Sequence, residues 1–404
     1  MPAWLARQVQ ALFAEARLRR RRRRMVAAAA VLASAVLAGA AVLGYRAAGQ
    51  RAARATEPSA PVSGHAPRFT LPSALVAWFD GDGTLRIGNV ATLAQRPVAH
   101  VAAQPCCTLI VAGGRIYWAA PFRGMDYIKV VSLATGTVRN VAPGSEVFAA
   151  ADRRTVYIEQ SDRRLLAVPA DGRGPARRLV TPRGWQVATL PRAAAGGIML
   201  SKGIRPPAIG LWRPGTGTVR VIGRGYLMAA WTQPSGQRSL IAWLPAICSK
   251  PPCPLEITST STGRTLTAHA PLHDVFLGQG GDMAFSPDGS MLAAVVSRTF
   301  PSTAGFVPAL INTTTGAARP VRHAMLSNGE MAGWLVWLPG AGYFLAGPAV
   351  SSSYPGYAID ARTATARPFG FITGSHYKYL ESPVYDITYG AVVVPPSDAP
   401  PRGP

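Results

Sequence analysis

The sequence predicts an all-β protein, a seven-bladed β-propeller of four-stranded antiparallel blades preceded by one transmembrane α-helix. Three observations lead to this prediction. A unit of strand, turn and strand recurs along most of the chain. Near the N-terminus, about 20 uncharged residues follow a run of arginines and match the thickness of a bilayer. With 404 residues and 48% hydrophobic content, the chain can also form a large core.

The clearest hairpin is MAFSPDGSMLAAVV, residues 283–296. Pro287 fixes φ at the first corner of a turn, while Asp288 and Gly289 tolerate the left-handed backbone of the second corner. The flanking runs of small apolar residues are therefore predicted to be adjacent strands. Similar stretches begin at Leu75 and Val147.

A turn between two short strands, often built from Thr-Gly, marks each copy of the repeat. The seven marker positions are Leu93, Gly136, Gly172, Gly217, Gly263, Gly316 and Ala364. Successive markers lie about 45 residues apart, the length that four short strands and their connections need. One such sheet leaves both faces exposed until neighbours stack against it. Seven markers therefore predict seven blades, and residues 283–296 belong to the sixth.

FSPDGSMLAAV, together with the Thr-Gly turn that follows it, resembles the repeats of TolB-like and WD40-like bacterial β-propellers. The resemblance covers roughly residues 73 to 395 and contains one close copy. The Trp-Asp and Gly-His pairs of eukaryotic WD40 blades are missing from residues 73–395, so the TolB-like variety fits better. The stretch YLESPVYDITYGAVVVP, residues 379–395, alternates like a strand pair and is predicted to complete the first blade.

These features divide the chain into five segments. They are a cytoplasmic amphipathic and polybasic tail (1–24), a transmembrane helix (25–45), a Pro/Ala-rich tether (46–72), the propeller (73–395) and a disordered tail (396–404).

Charge predicts the topology of the anchor. Six consecutive arginines precede the apolar segment: Arg19, Arg20, Arg21, Arg22, Arg23 and Arg24. Only Arg46, Arg51 and Arg54 follow it closely, so the N-terminus should stay in the cytoplasm and the propeller should be extracytoplasmic. The arginine run would also bind anionic lipid. The protein is thus predicted to be a single-pass, type II cell-membrane protein. A cleaved signal peptide is the alternative, because AGA-A around Gly39 is a cleavage-like pattern.

Four cysteines in an exported domain favour disulfides. Cys248 and Cys253 flank a Pro-rich loop and are predicted to pair, which would close that loop. The state of the adjacent Cys106 and Cys107 stays open.

Other motifs argue against a metal or catalytic site. His269 and His273 have a spacing that would suit a metal on a helix, but Pro271 breaks that geometry. FDGDGT, residues 79–84, lacks the glycine and the distant Glu of a calcium loop. No G-x-S-x-G motif occurs. No catalytic residue, metal or cofactor is therefore predicted. Most of a set of seven tryptophans are predicted to pack between blades: Trp118, Trp185, Trp212, Trp231, Trp243, Trp334 and Trp337.

The predicted function is that of a binding or scaffolding module in a bacterial cell envelope, with a protein, peptide or envelope polymer as partner. Two alternatives remain: a sensor that passes ligand occupancy to a cytoplasmic regulator, and a propeller enzyme of the lactonase or lyase type. The net charge of +23 favours anionic neighbours. Nucleic acid is not an expected partner, because the aromatic and basic interleaving of single-strand binders does not stand out. The oligomeric state is not predicted.

Overall fold

A computed structural model describes most of the chain after residue 69. The described residues are 70–79, 83–101, 109–122, 125–160, 164–188, 193–194, 197–203, 206–233, 235–245, 254–268, 283–297, 306–324, 326, 334–347, 356–369 and 392–394. Within these ranges no helix is long and apolar enough to cross a membrane. The predicted cytoplasmic tail and the predicted transmembrane helix lie outside them.

The described chain forms seven antiparallel sheets, which we number as blades in chain order. Blade 1 contains β1 (Leu75–Phe79), β2 (Thr84–Asn89), β3 (Gln95–His100) and β29 (Val392–Val394). Blade 2 contains β4 (Ile110–Ala112), β5 (Arg115–Phe122), β6 (Met125–Ser132) and β7 (Val138–Pro143), and blade 3 contains β8 (Glu146–Ala149), β9 (Thr155–Glu159), β10 (Arg164–Pro169) and β11 (Arg177–Val180). Blade 4 contains β12 (Gln186–Val187), β13 (Ala193–Ala194), β14 (Gly197–Lys202), β15 (Ala208–Trp212) and β16 (Val219–Arg224).

The remaining three blades have the same plan. Blade 5 contains β17 (Tyr226–Thr232), β18 (Ser239–Leu244), β19 (Leu255–Ser259) and β20 (Thr265–Ala268); blade 6 contains β21 (Met283–Phe285), β22 (Met291–Ser297), β23 (Phe306–Asn312) and β24 (Ala318–Pro320); blade 7 contains β25 (Trp334–Trp337), β26 (Tyr343–Gly347), β27 (Gly356–Asp360) and β28 (Thr365–Phe369). Residues 283–296 contribute two adjacent strands to the sixth blade, as predicted.

In blades 2 to 7 the strands pair in chain order from the inside outward, whereas in blade 1 the C-terminal strand β29 is innermost and is followed by β1, β2 and β3. In blade 4, the short strands β12 and β13 both pair with β14 and share the innermost position. Innermost strands of successive blades contact one another, for example β17 with β21 and β21 with β25. The predicted seven-bladed β-propeller is therefore confirmed.

The hydrophobic core lies between the blades. Seven buried clusters join blades 1 and 2, 2 and 3, and so on around the ring to blades 7 and 1. In β22, Ala293 faces the cluster shared with blade 7 and Ala294 faces the cluster shared with blade 5, and both are fully buried. Because successive residues of a strand point to opposite faces, each blade fills two clusters. No sheet can bury both of its faces without its neighbours.

All seven predicted turn markers have a left-handed backbone. The φ values are 58° at Leu93, 69° at Gly136, 66° at Gly172, 67° at Gly217, 74° at Gly263, 73° at Gly316 and 53° at Ala364. Each marker lies between the third and fourth strands of its blade. At several turns a side chain also holds the loop: Oδ1 of Asn312 accepts hydrogen bonds from the backbone N–H groups of Thr314 and Thr315, each at 2.9 Å.

The C-terminal strand closes the ring. β29 pairs antiparallel with β1, and Leu75 lies opposite Val394 in the register. The prediction that the C-terminal stretch completes the first blade is confirmed for residues 392–394, while residues 379–391 of that stretch lie outside the described residues. Since Val394 is 3% exposed and belongs to the cluster between blades 1 and 2, this strand is part of the core.

Candidate binding surfaces

The connections of the propeller divide between two faces. Because strands alternate in direction, the links between the first and second strands and between the third and fourth strands lie on one face, which we call the turn face. The links between the second and third strands and between successive blades lie on the other, which we call the loop face. The hairpin turn 286–290 belongs to the turn face, and the connection 269–282 belongs to the loop face.

The loop face carries the long connections. No connection on the turn face is longer than residues 170–176, whereas the link from β28 to β29 spans residues 370–391. The long connections are also unevenly distributed, because they gather on blades 5, 6, 7 and 1. They are residues 101–109, 245–254, 269–282, 298–305, 321–333, 348–355 and 370–391. By contrast, blades 2 and 3 are joined by residues 144–145 alone.

The sequence of these connections is rich in residues typical of recognition surfaces. Residues 370–391 contain four of the 12 tyrosines of the chain: Tyr377, Tyr379, Tyr385 and Tyr389. Tyrosine combines a large apolar ring with a hydroxyl group and is enriched where proteins meet.

The predicted disulfide cysteines Cys248 and Cys253 belong to the connection 245–254. His269 and His273 belong to the next loop-face connection, residues 269–282. All four residues, together with Cys106, Cys107 and the arginine run 19–24, lie outside the described residues. The Cys248–Cys253 disulfide therefore stays a prediction. No group of three or more His, Cys, Asp or Glu side chains that could hold a metal occurs in the described ranges.

The described tryptophans join neighbouring blades. The indole N–H of Trp231 donates to the carbonyl of Pro287 in blade 6 at 3.0 Å, and that of Trp337 donates to Ala284 at 2.7 Å. Trp118 is fully buried and packs edge-on against Phe79 of blade 1, with ring centroids 5.4 Å apart. These contacts confirm the predicted packing role at three of the positions. The side chain of Trp334 lies outside the description.

The hairpin turn of blade 6 holds its own carboxylate. Oδ1 of Asp288 accepts hydrogen bonds from the hydroxyl of Ser286 at 2.6 Å and from the backbone N–H of Ser290 at 3.0 Å. Partial burial acts to raise the pKa of Asp288, but these hydrogen bonds outweigh it and lower the pKa below its ordinary value. The carboxylate therefore stabilises the turn and is engaged locally.

A second polar cluster lies where blade 2 meets the turn of blade 3. The hydroxyl of Tyr117 donates to the carbonyl of Ala170 at 2.8 Å, and Nη1 of Arg115 donates to the same oxygen at 3.1 Å. Burial raises the pKa of Tyr117, although the bonded Arg115 acts in the opposite direction. The position that a Cβ atom would take on Gly172 is 2.6 Å from Nη2 of Arg139, so this arginine also touches the turn.

Two carboxylates meet in blade 3. Glu146 at the start of β8 lies opposite Glu159 at the end of β9 in the antiparallel register, and both side chains are half-buried. Each takes part in further interactions, so neither is a free acid. This pair is not predictable from the sequence, because the two residues become neighbours only through the strand register.

A surface of exposed arginines was also not predicted from the sequence. Six exposed arginines lie on the outermost strands of blades 1 to 4, and we call them the arginine rim: Arg96, Arg139, Arg177, Arg178, Arg220 and Arg224. Its sequence signal is an arginine three residues after a turn marker, as at Arg96, Arg139 and Arg220.

Comparison with solved structures finds β-propeller proteins at low sequence identity. TolB from Acinetobacter baumannii is 11% identical with a TM-score of 0.43, and the match covers 81% of this chain and 66% of TolB. An oligogalacturonate lyase in complex with manganese is 12% identical with a TM-score of 0.48, over 74% of this chain and 85% of the lyase.

A putative 6-phosphogluconolactonase from Bacteroides uniformis is 13% identical with a TM-score of 0.49, over 80% of this chain and 99% of the other. No protein-family model matches the chain, and a sequence search of curated proteins finds no match.

Proposed function

We propose that this protein is a membrane-anchored extracytoplasmic binding module and that its loop face binds a protein or peptide partner. The observation that carries the proposal is the gathering of the long connections on the loop face of blades 5, 6, 7 and 1. Long connections in a compact fold are typically functional, and a rigid scaffold beneath them favours precise recognition. Short turns would be sufficient to join the strands, as residues 144–145 show at blades 2 and 3.

The position of the chain ends supports this choice of face. β1 begins and β29 ends side by side, at Leu75 and Val394, and both of these ends belong to the turn face. A tether that precedes residue 73 therefore enters the propeller on the turn face. The point where residue 73 leads into β1 thus lies on the face opposite the long connections.

The anchor rests on the sequence. The uncharged segment 25–45 is long enough to cross a bilayer, and the arginines before it set the N-terminus inside. An alkaline phosphatase fusion after residue 404 should be active in intact cells, because this enzyme folds only outside the cytoplasm. An inactive fusion that is present at normal level would contradict the proposed topology.

The binding face is tested by site-specific photo-crosslinking in intact cells. A photoreactive amino acid replaces Tyr379 of the loop face in one variant and Thr262 of a turn-face loop in the matched control. We expect a discrete crosslinked adduct from position 379 and none from position 262. Adducts from position 262 alone, or the same adducts from both positions, would contradict a partner on the loop face.

A further inference from the structure

We infer that the arginine rim is a second binding surface and that it takes a flexible, linear polyanion. This inference is independent of the partner proposed for the loop face, because it rests on the outermost strands of blades 1 to 4. The long connections, in contrast, gather on blades 5, 6, 7 and 1.

The repeat places an arginine at the same structural position in most blades. Three residues after the turn marker, the chain has Arg96, Arg139, Arg220, Arg319 and Arg367. In the sheet registers these residues lie opposite Ile87, Val130, Leu211, Leu310 and Ala358, and each of these partners lies six residues before the turn marker of its blade. In blade 3, where the turn is longer, Arg177 and Arg178 lie on the outermost strand. The arginines therefore recur around the circumference of the disc.

No acidic residue balances this charge on the outermost strands. The seven strands β3, β7, β11, β16, β20, β24 and β28 contain no Asp or Glu. Every member of the arginine rim is exposed, and none forms an ion pair with a carboxylate in the described part of the chain. Blades 1 to 4 thus present an arc of exposed arginines along their outermost strands. At physiological salt, exposed charges act on one another over about 8 Å.

A structural role explains the equivalent arginines elsewhere but leaves most of the rim unexplained. In blade 6, Nη1 of Arg319 donates to the carbonyl of Arg362 at 2.8 Å and its other terminal nitrogen donates to Ala361, which ties blade 6 to the turn of blade 7. The corresponding neighbours of the blade 3 and blade 4 arginines are the turns of blades 4 and 5, which contain Gly217 and Gly263. Nothing lies within 4 Å of a Cβ atom built on either glycine, so no arginine packs against these two positions.

In blade 1, protection of the sheet edge does not require the arginine either. Proline lacks the N–H group that an incoming strand would use, and it follows the repeated arginine at Pro97, Pro320 and Pro368. In blade 1 this proline blocks the edge beside Arg96. The charge at that position is therefore available for another role.

The shape of the arc selects the class of ligand. The rim runs along the edge of four successive blades, so a flat bilayer would reach only the few arginines on the side that it touches. A stiff nucleic acid duplex has the same limitation, since it bends at a cost. A flexible polymer of phosphate groups can follow the edge and pair with several guanidinium groups, which match phosphate in a bidentate geometry.

The test compares two variants of the full chain with the same change in net charge. The rim variant carries Arg96→Gln, Arg178→Gln and Arg220→Gln, and the control variant carries Arg154→Gln, Arg238→Gln and Arg264→Gln at exposed positions outside the rim. Both variants keep the arginine run 19–24, so its contribution cancels. The probe is fluorescently labelled inorganic polyphosphate, and its dissociation constant is measured at several salt concentrations. Circular dichroism checks that both variants fold.

We expect the rim variant to bind polyphosphate about tenfold more weakly than the unmodified chain, with a flatter dependence on salt, because three charge contacts are lost. The control variant should stay within about twofold, since its arginines lie off the arc. Equal losses in the two variants would show a net-charge effect and overturn the inference. Binding to phosphatidylglycerol vesicles without binding to polyphosphate would also overturn the inference. So would binding to duplex DNA that depends on the rim arginines and is as strong as binding to polyphosphate.

Discussion

Glycine at the turn markers serves two purposes that a pair of substitutions can separate. Gly136 and Gly263 occupy equivalent turns of blades 2 and 5, with φ values of 69° and 74°. A Cβ atom on Gly136 would lie 2.8 Å from the backbone carbonyl oxygen of Val98 in blade 1, whereas nothing lies within 4 Å of a Cβ atom on Gly263. Gly136→Ala therefore introduces both backbone strain and a clash between blades, and Gly263→Ala introduces strain alone.

The magnitudes follow from these two contributions. A left-handed backbone costs a non-glycine residue about 1 kcal/mol, and the chain accepts this cost at Leu93 and Ala364, the equivalent turns of blades 1 and 7. Gly263→Ala should therefore lower the free energy of unfolding by about 1 kcal/mol. Gly136→Ala adds the displacement of a backbone carbonyl that belongs to a paired strand, which costs a further ~1–3 kcal/mol.

Urea denaturation of the full chain in detergent, followed by tryptophan fluorescence, measures both variants under the same conditions. The reasoning predicts that Gly136→Ala has the lower midpoint, with an unchanged slope against urea concentration. Equal midpoints for the two variants would refute the claim that the turn of blade 2 is packed against the outermost strand of blade 1. A lower midpoint for Gly263→Ala would do the same.

Three further predictions concern contacts within and between blades. Arg319→Met should destabilise the junction of blades 6 and 7 by about 1 kcal/mol, measured as faster hydrogen exchange in residues 356–369. Trp231→Phe removes the hydrogen bond to Pro287 and should lower the free energy of unfolding by about 1 kcal/mol in the same urea assay. The lowered pKa of Asp288 means that its carboxylate stabilises the fold above the ordinary Asp pKa and loses this effect as the pH falls through the lowered value. Asp288→Asn should therefore weaken the acid dependence of the thermal midpoint, and an unchanged dependence would contradict the assigned hydrogen bonds.

The blade count was predictable because the turns are local. A left-handed residue between two short strands is encoded within a few positions, either by glycine or by a loop that a flanking side chain holds, as Asn89 does before Leu93 and Asp360 before Ala364. Even Leu93 and Ala364, which lack the conformational freedom of glycine, could be placed by their spacing from the other markers. The same local signals located the two inner strands of blade 6.

Features that depend on which strands become neighbours were not predictable in the same way. Glu146 and Glu159 meet only in the register of blade 3, and nothing in their sequence spacing indicates it. The arginine rim was present in the repeat as a recurrent arginine, but its exposure follows from the position of the fourth strand at the edge of each blade. The uneven distribution of long connections likewise becomes visible only when the chain is divided between the two faces of the disc.

The closure of the ring by β29 and β1 tests the account most directly, because it joins residues from opposite ends of the propeller. In a variant with Leu75→Cys and Val394→Cys, the two introduced thiols lie on directly paired positions. Mild oxidation should join them directly in a disulfide in the folded protein, because paired positions of adjacent strands lie within disulfide reach, and mass spectrometry should identify the peptides of residues 75 and 394 joined together. A control variant that combines Leu75→Cys with Val180→Cys of blade 3 should give no such link. If the folded protein yields no 75–394 crosslink, or yields the 75–180 crosslink instead, the closed seven-bladed ring is wrong.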